Sequence, residues 1–327
     1  MSCFRAIGGG ISFSRAHSTG LDTTIRCGQC VGCRISRARS WAVRLYHEAQ
    51  LHDNSSFITL TYNPESIPEN GSLDKADHQR FIRRLRKRLK PARVRYFLCG
   101  EYGEETLRPH YHLALFGHSY PDRVYLSTTD GGSTLYRSPT LESDWSVDNQ
   151  PLGHAVIGDL TFESAQYIAL YATKKLNVSK ASRYRTQADH ETAVRAFEQR
   201  YQRVHPDTGE IVQIEREYLA MSSRPSPGRR WFERYWKDVF PSDFLIINGT
   251  RHAVPRYYDK LLESWGSNLP LAHRPKSHTP AFFRELFESV KKTRLLNRDN
   301  SDDSEERLTS LERVTLARQN LYGARDT

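Results

Sequence analysis

The sequence predicts an α+β fold in which an antiparallel sheet is flanked by helices. Short runs rich in β-branched and aromatic residues are typical of strands, and they occur at 57–62, 94–99, 110–116 and 155–157. Apolar residues at spacings of three and four predict helices before, between and after these strands. Because polar turns connect the strands, the order favours a sheet whose helices pack on one side.

The first three predicted helices have recognisable ends. Residues 34–53 repeat apolar side chains every three or four positions and carry arginines on the opposite face, which predicts an amphipathic helix. Asp74 is a typical N-cap residue for the second helix, and Pro91 ends that helix. Thr161 caps the third helix, which we expect to continue to about Lys175.

The chain divides into four predicted regions. They are a cysteine cluster with a basic helix at 1–52, a sheet-containing core at 53–180, an extension packed on that core at 181–270, and a charged, partly disordered tail with a terminal helix at 271–327. Further helices are expected at 191–204, 231–239 and 257–265. The polar stretch 118–149 predicts a hairpin or surface insertion, and the acidic stretch 297–306 predicts a disordered linker.

The balance of charges predicts a polyanionic partner. The 327 residues include 48 Lys and Arg against 38 Asp and Glu, a net charge of +10, and a chain this basic is expected to meet nucleic acid. Its apolar runs are far shorter than the roughly 20 residues of a membrane-spanning helix. The N-terminal stretch lacks the apolar run of a signal peptide. We therefore expect a cytoplasmic protein.

Two histidines in the third strand are candidate metal ligands. Successive side chains of a strand point to opposite faces, so His110 and His112 share one face, about 7 Å apart, and Tyr111 takes the other. Glu101 ends the neighbouring strand across a tight polar turn and would supply a carboxylate. These ligands suit Mg²⁺ or Mn²⁺ engaged with a phosphate. The alternative is a histidine pair that is merely solvated on an exposed face.

Two tyrosines on the third helix are candidate nucleophiles. Tyr167 and Tyr171 are four residues apart and share a helix face, which Lys174 joins with Lys175 beside it. A nearby ammonium group and a metal-polarised phosphate would make phenolate attack feasible, giving a phosphotyrosine and a free 3′-OH. The alternative is an aromatic stripe in the core. Other residues of this helix already supply an apolar face, so the tyrosines fall at its polar edge.

The cysteine spacing predicts a metal site of a second kind. Cys27, Cys30 and Cys33 are separated by two residues each, a spacing typical of thiolate ligands in a reducing compartment. With Cys3 as the fourth ligand, they would bind a structural Zn²⁺. The alternative is a set of reduced, unligated thiols near a turn. Cys99 lies within a strand and is expected to be a small core residue.

A run of basic residues predicts contact with DNA phosphates. Residues 80–95 contain nine basic side chains and no acidic one, and phosphate contacts fix the register of DNA without reading its sequence. Arg44 would extend this surface, and aromatic rings would stack on unpaired bases. The DNA-binding candidates are Arg83, Arg84, Arg86, Lys87 and Arg88, together with Thr61 and Tyr62 of the first strand. The alternative is an ordinary solvated helix face.

Three motifs that occur in order resemble a known family. FITLTY, then GEYG…RPHYHLALFG, then YIALYATKK resemble the motifs of rolling-circle replication initiators of the HUH endonuclease superfamily. The likeness is closer to the initiators of microviruses, the small single-stranded DNA phages, and to their gokushovirus branch, which shows CGQCxGCR followed by WAVR…HEA. The resemblance covers most of residues 1–265 and does not extend beyond about residue 270.

The resemblance implies an activity and a set of partners. The core at 53–180 would be an HUH endonuclease that nicks the origin strand with a divalent metal and later transfers the strand to close a circle. Its substrates would be single-stranded and origin DNA in the cytoplasm of the bacterial host. Because the sequence has no GxxxxGK[ST] loop, a host helicase would supply the ATPase motor, and a host DNA polymerase would extend the 3′-OH.

The resemblance also assigns roles to residues. His110 and His112 would be metal ligands, and Glu101 fills the acidic position upstream of them. Tyr171 matches the tyrosine of the single-tyrosine initiators and would make the first nick, with Tyr167 as the second tyrosine of the two-tyrosine type. The neighbouring lysines, Lys174 and Lys175, would contact the scissile phosphate or activate the phenol.

Two alternatives stay open on the sequence alone. One is a two-tyrosine HUH transposase, which shares the chemistry and would be distinguished by inverted repeats in its genomic surroundings. The other is a non-catalytic, zinc-containing DNA-binding regulator whose histidines are incidental. The regulator predicts salt-sensitive DNA binding but no covalent protein–DNA adduct.

Overall fold

A computed structural model describes residues 30–103, 106–173, 187–205, 207–267, 275, 278–299, 311 and 313–315. The helices are α1 (Val31–Ala49), α2 (Lys75–Arg88), α3 (Pro139–Asp144), α4 (Phe162–Thr173), α5 (Gln187–Arg200), α6 (Arg229–Val239), α7 (Arg256–Trp265) and α8 (Pro280–Asp299). The strands are β1 (Ser55–Tyr62), β2 (Arg95–Tyr102), β3 (Pro109–Phe116), β4 (Val124–Thr128), β5 (Thr134–Arg137), β6 (Ser146–Val147), β7 (Gln150–Pro151), β8 (Gly153–Asp159), β9 (Gln202–Val204), β10 (Ile211–Gln213), β11 (Tyr218–Met221), β12 (Phe244–Ile247) and β13 (Thr250–Ala253). None of the helices in this described part is long and apolar enough to cross a lipid bilayer.

The chain forms two compact units. One comprises Ala38–Ala172 and Glu215–Ser301, and it contains the large sheet. The other comprises Met1–Arg37, Thr173–Ile214 and Asp302–Thr327, and its described part includes α5 and the β9–β10 hairpin. The division into four regions that the sequence suggests stays a prediction.

The large sheet confirms the α+β class. Among the described residues it has seven antiparallel strands in the order β11–β2–β3–β1–β8–β5–β4, and the four strands predicted from composition correspond to β1, β2, β3 and β8. The predicted insertion at 118–149 is only partly a surface feature. Its hairpin extends the sheet, because Tyr136 of β5 pairs with Ile157 of β8, and its Trp145 is fully buried.

One face of the sheet packs against α1, α4, α6 and α7. Phe97 on β2 and Ala114 and Phe116 on β3 point to this face, where they join an apolar core with Leu45 of α1 and Ile168 of α4. Burying a large apolar side chain contributes about 1.5–3 kcal/mol. This layer therefore holds α4 firmly against the sheet.

The opposite face is covered by α2 and α3, so the expectation of helices on one side only is wrong. Asp74 N-caps α2 by accepting a hydrogen bond from the Ala76 amide, as its sequence predicts. Phe81 of α2 packs edge-on against Trp145, which in turn contacts Tyr111 of β3. Local periodicity predicts a helix but not the sheet face that the helix covers, because distant packing decides that face.

Arg44 of α1 is buried instead of facing solvent. Its guanidinium group lies 3.9 Å from the ring centres of both Trp41 and Tyr257, and its Nε donates to the Pro227 carbonyl at 3.1 Å. Burial lowers the pKa of Arg44 to about 10 despite the opposing influence of nearby tyrosines and Glu48. Arg44 therefore fastens the 224–228 loop to α1 and does not extend a DNA-binding surface.

The second half of the chain differs from prediction in two places. The helix expected at 191–204 ends at Arg200, and residues 202–204 form β9, which pairs with β10. Gly209 between these strands has φ +72°, a left-handed conformation that glycine adopts readily. The helices expected at 231–239 and 257–265 are confirmed as α6 and α7.

The acidic linker and terminal helix are partly described. Residues 297–299 of the expected linker at 297–306 belong to α8, and the remainder lies outside the described residues. Leu311 and residues 313–315 of the expected terminal helix are helical.

Candidate functional site

Strand register brings Glu101, His110 and His112 together. β2 and β3 pair antiparallel, with Glu101 opposite His110 and Cys99 opposite His112. Cross-strand partners point to the same face, and residues two apart on one strand do so as well. All three side chains therefore lie on the face that α4 covers, and we refer to them as the His–Glu group.

Three ligand atoms converge in the His–Glu group. Nε2 of His110 lies 2.8 Å, and Nε2 of His112 lies 3.0 Å, from Glu101 Oε1, and the candidate ligand atoms all fall within 4.8 Å of one another. His110 Nδ1 donates to the Arg108 carbonyl at 3.1 Å, and His112 Nδ1 meets Thr59 Oγ1 at 3.0 Å. With both Nδ1 atoms protonated, neutral imidazoles turn Nε2 lone pairs toward the carboxylate, where a proton or a metal cation must hold them.

The Glu101 carboxylate is buried and only half used. The residue is 2% exposed, and no described residue hydrogen-bonds its Oε2. Burial acts to raise the pKa of Glu101, but hydrogen bonds from His110 and His112 outweigh burial and lower it. A buried carboxylate with a spare oxygen beside two imidazoles is a donor set that could hold a metal ion.

The two tyrosines of α4 lie directly over the His–Glu group. The ring centre of His112 is 5.2 Å from that of Tyr167 and 5.4 Å from that of Tyr171. The Tyr171 hydroxyl donates to the Tyr167 hydroxyl at 3.0 Å. Both tyrosines are half-buried, whereas Ile168 and Ala169 of the same helix are fully buried. The phenols therefore lie at the rim of the apolar layer, where an incoming phosphate could meet them.

Several predicted residues lie outside the described part of the chain. They are Lys174 and Lys175 after α4 and the cysteines Cys3 and Cys27. Cys30 and Cys33 lie three residues apart at the start of α1, and both are buried. The roles of the lysines and the zinc site stay predictions. Cys99 is 1% exposed and belongs to the apolar core, as expected.

The basic run at 80–95 divides into structural and surface side chains. Arg88 pairs with the buried Asp144, and Arg84 donates to the carbonyls of Asp144 and Ser146 at 2.7 and 2.6 Å. These guanidinium groups hold α2 to the C-terminal end of α3, so the assignment of Arg84 and Arg88 to DNA contact is wrong. The other candidates on α2, Arg83, Arg86 and Lys87, are exposed.

Thr61 and Tyr62 point to opposite faces of β1. Thr61 pairs with His110 in the β1–β3 register and therefore lies on the side of the His–Glu group. Tyr62 is 1% exposed, and its hydroxyl donates to Asp77 of α2 at 2.6 Å. Because its ring is enclosed under α2, Tyr62 cannot stack on DNA bases, which corrects the prediction for this residue.

Sequence reasoning missed the residues of β1 that orient His112. Thr59 stands directly opposite His112 in the β1–β3 register and contacts its Nδ1. Phe57, two residues earlier, stacks on the same imidazole with ring centres 5.6 Å apart. Strand alternation shows that Phe57 and Thr59 share a face, but the register against β3 depends on the whole fold.

The fold and the site together define an α+β protein with a two-histidine, one-carboxylate group beside paired tyrosines. A family model described as replication-associated protein ORF2 matches residues 55–176. That segment runs from β1 to the end of α4 and contains the His–Glu group and both tyrosines. No solved structure matches the chain significantly.

Three viral proteins are similar to the chain over most of its length. The replication-associated protein VP4 of Bdellovibrio phage phiMH2K is 30% identical over 240 residues, covering 71% of this chain and 65% of that protein. The replication-associated protein ORF2 of Spiroplasma virus 4 is 28% identical over 282 residues, covering 82% and 77%. The replication-associated protein ORF4 of Chlamydia phage 1 is 26% identical over 247 residues, covering 72% and 53%.

These matches confirm the resemblance to the replication initiators of microviruses. The aligned part of this chain spans less than two thirds of the length of the Bdellovibrio phage and Chlamydia phage proteins, at 65% and 53%. The segment that the family model matches is the one that contains the His–Glu group and the tyrosines.

Proposed function

We propose that the chain initiates rolling-circle replication of a single-stranded DNA phage genome as an HUH-type endonuclease and strand transferase. The observation that carries the proposal is the position of Tyr167 and Tyr171, whose ring centres lie 5.2 and 5.4 Å from that of His112. Candidate nucleophile and candidate phosphate-binding group thus share one face of the sheet. The names of the relatives, all replication-associated proteins, support the same role.

The proposed reaction exchanges one phosphoester for another. A tyrosine oxygen attacks the phosphorus of a DNA phosphodiester, the bond to the 3′-oxygen breaks, and that oxygen takes up a proton to become a free 3′-OH. The 5′ end stays on the protein as a phosphotyrosine. Because this ester retains the energy of the broken bond, a later attack by a 3′-OH closes a circle without ATP. Tyr171 makes the first nick and Tyr167 the second.

The His–Glu group would hold a divalent cation, Mg²⁺ or Mn²⁺. The unpartnered Oε2 of the buried Glu101 and the two converging imidazole nitrogens fit a cation better than a closed hydrogen-bond cluster. The bound cation would polarise the scissile phosphate and stabilise its developing charge. Thr59 and the Arg108 carbonyl keep the imidazoles in the orientation that this binding requires.

The substrate and partners of the protein follow from this role. The substrate is the origin in single-stranded DNA, in the cytoplasm of the bacterial host. A host helicase opens the duplex, because the sequence has no GxxxxGK[ST] loop of its own, and a host polymerase extends the 3′-OH. Lys174 and Lys175 would approach the scissile phosphate. Structural zinc on the N-terminal cysteines would pin the segment before α1.

Formation of a covalent adduct tests the proposed function. Wild-type protein incubated with Mn²⁺ and a labelled single-stranded origin oligonucleotide should give a tyrosyl–DNA band on a denaturing gel. Tyr171→Phe should abolish the first nick, and Tyr167→Phe should retain it. Tyr125→Phe, on an exposed hairpin strand, is the matched control and should behave as wild type.

Two outcomes would contradict the proposal. If wild-type protein binds the oligonucleotide in a salt-sensitive manner but forms no adduct with either Mg²⁺ or Mn²⁺, the chain is a DNA-binding regulator. If the adduct persists in a variant that lacks both Tyr167 and Tyr171, the nucleophile lies elsewhere. An adduct that survives in Tyr171→Phe alone transfers the first nick to Tyr167.

A further inference from the structure

A second basic surface lies at the other end of β2. Two adjoining pockets with volumes of about 690 and 510 Å³ share Arg86, Lys90 and Tyr96 in their walls. Their other basic side chains include Arg83, Lys87, Arg93 and Arg224. We call this surface the Tyr96 groove. It joins the end of α2, the turn after α2, the start of β2 and the loop after β11.

The Tyr96 groove carries positive charge that the protein does not neutralise. No acidic side chain of the described residues lines either pocket. Lys90, Arg93 and Arg224 are exposed and form no ion pair with any residue that the structure describes. Clustered like charges destabilise a fold by mutual repulsion, so a surface of this kind is suited to a polyanion.

The basic side chains of this surface differ from their neighbours on α2. Arg84 and Arg88 are committed to α3, and Arg95 is committed to the buried Glu48 at 2.6 Å. The guanidinium group of Arg86, by contrast, lies 5.5 Å from the Tyr96 ring centre and next to the pocket opening. The structure therefore separates basic residues that hold the fold together from those that remain available to a ligand.

The Tyr96 groove cannot contact the phosphate that the tyrosines attack. Tyr96 and Glu101 are five residues apart on β2, which corresponds to about 17 Å along an extended strand. An odd separation also places them on opposite faces of the sheet, with Tyr96 opposite Leu115 and Glu101 opposite His110. Any nucleic acid in the groove is therefore a different segment from the one at the His–Glu group.

We propose that the Tyr96 groove binds single-stranded DNA several nucleotides away from the scissile phosphate. The proposal rests on the proposed function, which brings single-stranded DNA to the protein. Unpaired basic side chains would contact backbone phosphates, and the half-buried Tyr96 ring offers a surface on which a base can stack. A concave groove with an aromatic wall favours a single strand over the broad surface of a duplex. A strand held there would anchor the DNA while the tyrosine end is exchanged.

Charge reversal in the groove, compared across oligonucleotide lengths, tests the proposal. The test variant is Lys90→Glu with Arg93→Glu, and the control is Lys260→Glu with Lys292→Glu, which changes the net charge equally at exposed sites on α7 and α8. Binding to oligonucleotides of about 8 and about 40 nucleotides, measured by fluorescence anisotropy, covers the origin nick site alone or with long flanks.

The test variant should bind the long oligonucleotide about tenfold or more weakly than the control variant does. Loss of two phosphate contacts should also make the slope of log Kd against log salt shallower by about 1.4. Binding of the short oligonucleotide, and its adduct with the tyrosine, should stay at the control level, which also shows that the variant is folded.

Three results would overturn the groove assignment. They are equal weakening in both variants, equal weakening for short and long oligonucleotides, or weakening that appears only with duplex DNA. Failure of the proposed function gives a different pattern. In that case wild-type protein forms no adduct with the short oligonucleotide, while the length-dependent difference in binding still reports on the groove.

Discussion

Strands β1 and β3 carry a polar cluster on each face, and the two clusters differ in how completely they are hydrogen-bonded. On the α2 face, the Tyr62 hydroxyl bonds Asp77 at 2.6 Å and the Tyr111 hydroxyl at 2.9 Å, and the Tyr218 hydroxyl meets His78 Nδ1 at 2.6 Å. We call these five residues the tyrosine cluster. On the α4 face, Glu101 of the His–Glu group keeps an unpartnered buried oxygen.

The difference separates a structural cluster from a functional one. A buried polar network that satisfies itself stabilises and fixes the fold, whereas an unsatisfied buried acceptor is costly unless something completes it. Both clusters are built from alternate residues of the same strands, with Tyr111 lying between His110 and His112 in sequence. Removal of hydrogen-bonding groups should therefore affect stability on one face and activity on the other.

The largest expected effect follows removal of a metal ligand. His112→Ala should reduce adduct formation by at least about 10³-fold, because metal-ion catalysis contributes several kcal/mol to such reactions. Its melting temperature should change little. Chelation of wild-type protein with EDTA should give the same loss, and added Mn²⁺ should restore the wild type but not the variant. Full activity of the wild type in EDTA would show that the group does not work through a metal.

The tyrosine cluster should respond to pH through stability. Burial lowers the pKa of His78 from 6.5 to about 4, although Asp74 and Asp77 partly oppose this effect. An unfolded chain therefore takes up a proton near pH 6.5 that the folded chain excludes down to about pH 4. The contribution of His78 should lower the free energy of unfolding as pH falls through this window, by about 1.4 kcal/mol per pH unit and about 3 kcal/mol in total.

Urea denaturation at several pH values between 4 and 7 measures this dependence. His78→Asn, whose amide can still meet the Tyr218 hydroxyl, should have a shallower pH dependence of unfolding free energy than wild type. His205→Asn, on the β9–β10 hairpin, is the control and should keep the wild-type slope. Equal slopes in wild type and His78→Asn would mean that His78 is protonated in the folded protein.

How far the sequence predicts each cluster depends on how local its determinants are. Strand alternation places His110 and His112 on one face, and the tight turn after β2 predicts Glu101 beside them, because both signals span only a few residues. The geometry of the His–Glu group therefore follows from the sequence. Its support from Thr59 does not, since the register of β1 against β3 joins residues 53 positions apart.

The basic run on α2 shows the opposite case. Nine basic residues without an acidic one predict a DNA surface, but Arg88 finds Asp144 at a separation of 56 residues, and Arg95 finds Glu48. Ion pairs of this range are decided by tertiary packing, and composition does not report them. The charge pattern therefore predicts that a basic surface exists, but the structure is needed to show that its centre is Tyr96 and that Arg84 is not part of it.

Loss of the Thr59 hydroxyl should produce a smaller effect on the His–Glu group. Thr59→Val keeps the shape of the side chain but removes the contact with His112 Nδ1. Groups that orient metal-ligating histidines typically contribute about 10–100-fold to metal affinity. Mn²⁺ binding, measured by electron paramagnetic resonance, should weaken by that factor, and Thr59→Ser should restore it. Equal Mn²⁺ affinity in Thr59→Val and wild type would assign Thr59 a packing role only.

Tyr111→Phe is the smallest change and the sharpest test of the two-face comparison. The Tyr111 hydroxyl donates to the Asp74 carbonyl at 2.7 Å, on the α2 face, although the residue lies between the two histidines in sequence. Its loss should cost about 1 kcal/mol of unfolding free energy, which is typical for a neutral buried hydrogen bond. Adduct formation should stay within about twofold of wild type, because the strand backbone and both imidazoles are unchanged. A large fall in activity with unchanged stability would mean that the two faces are coupled through β3 and are not independent clusters.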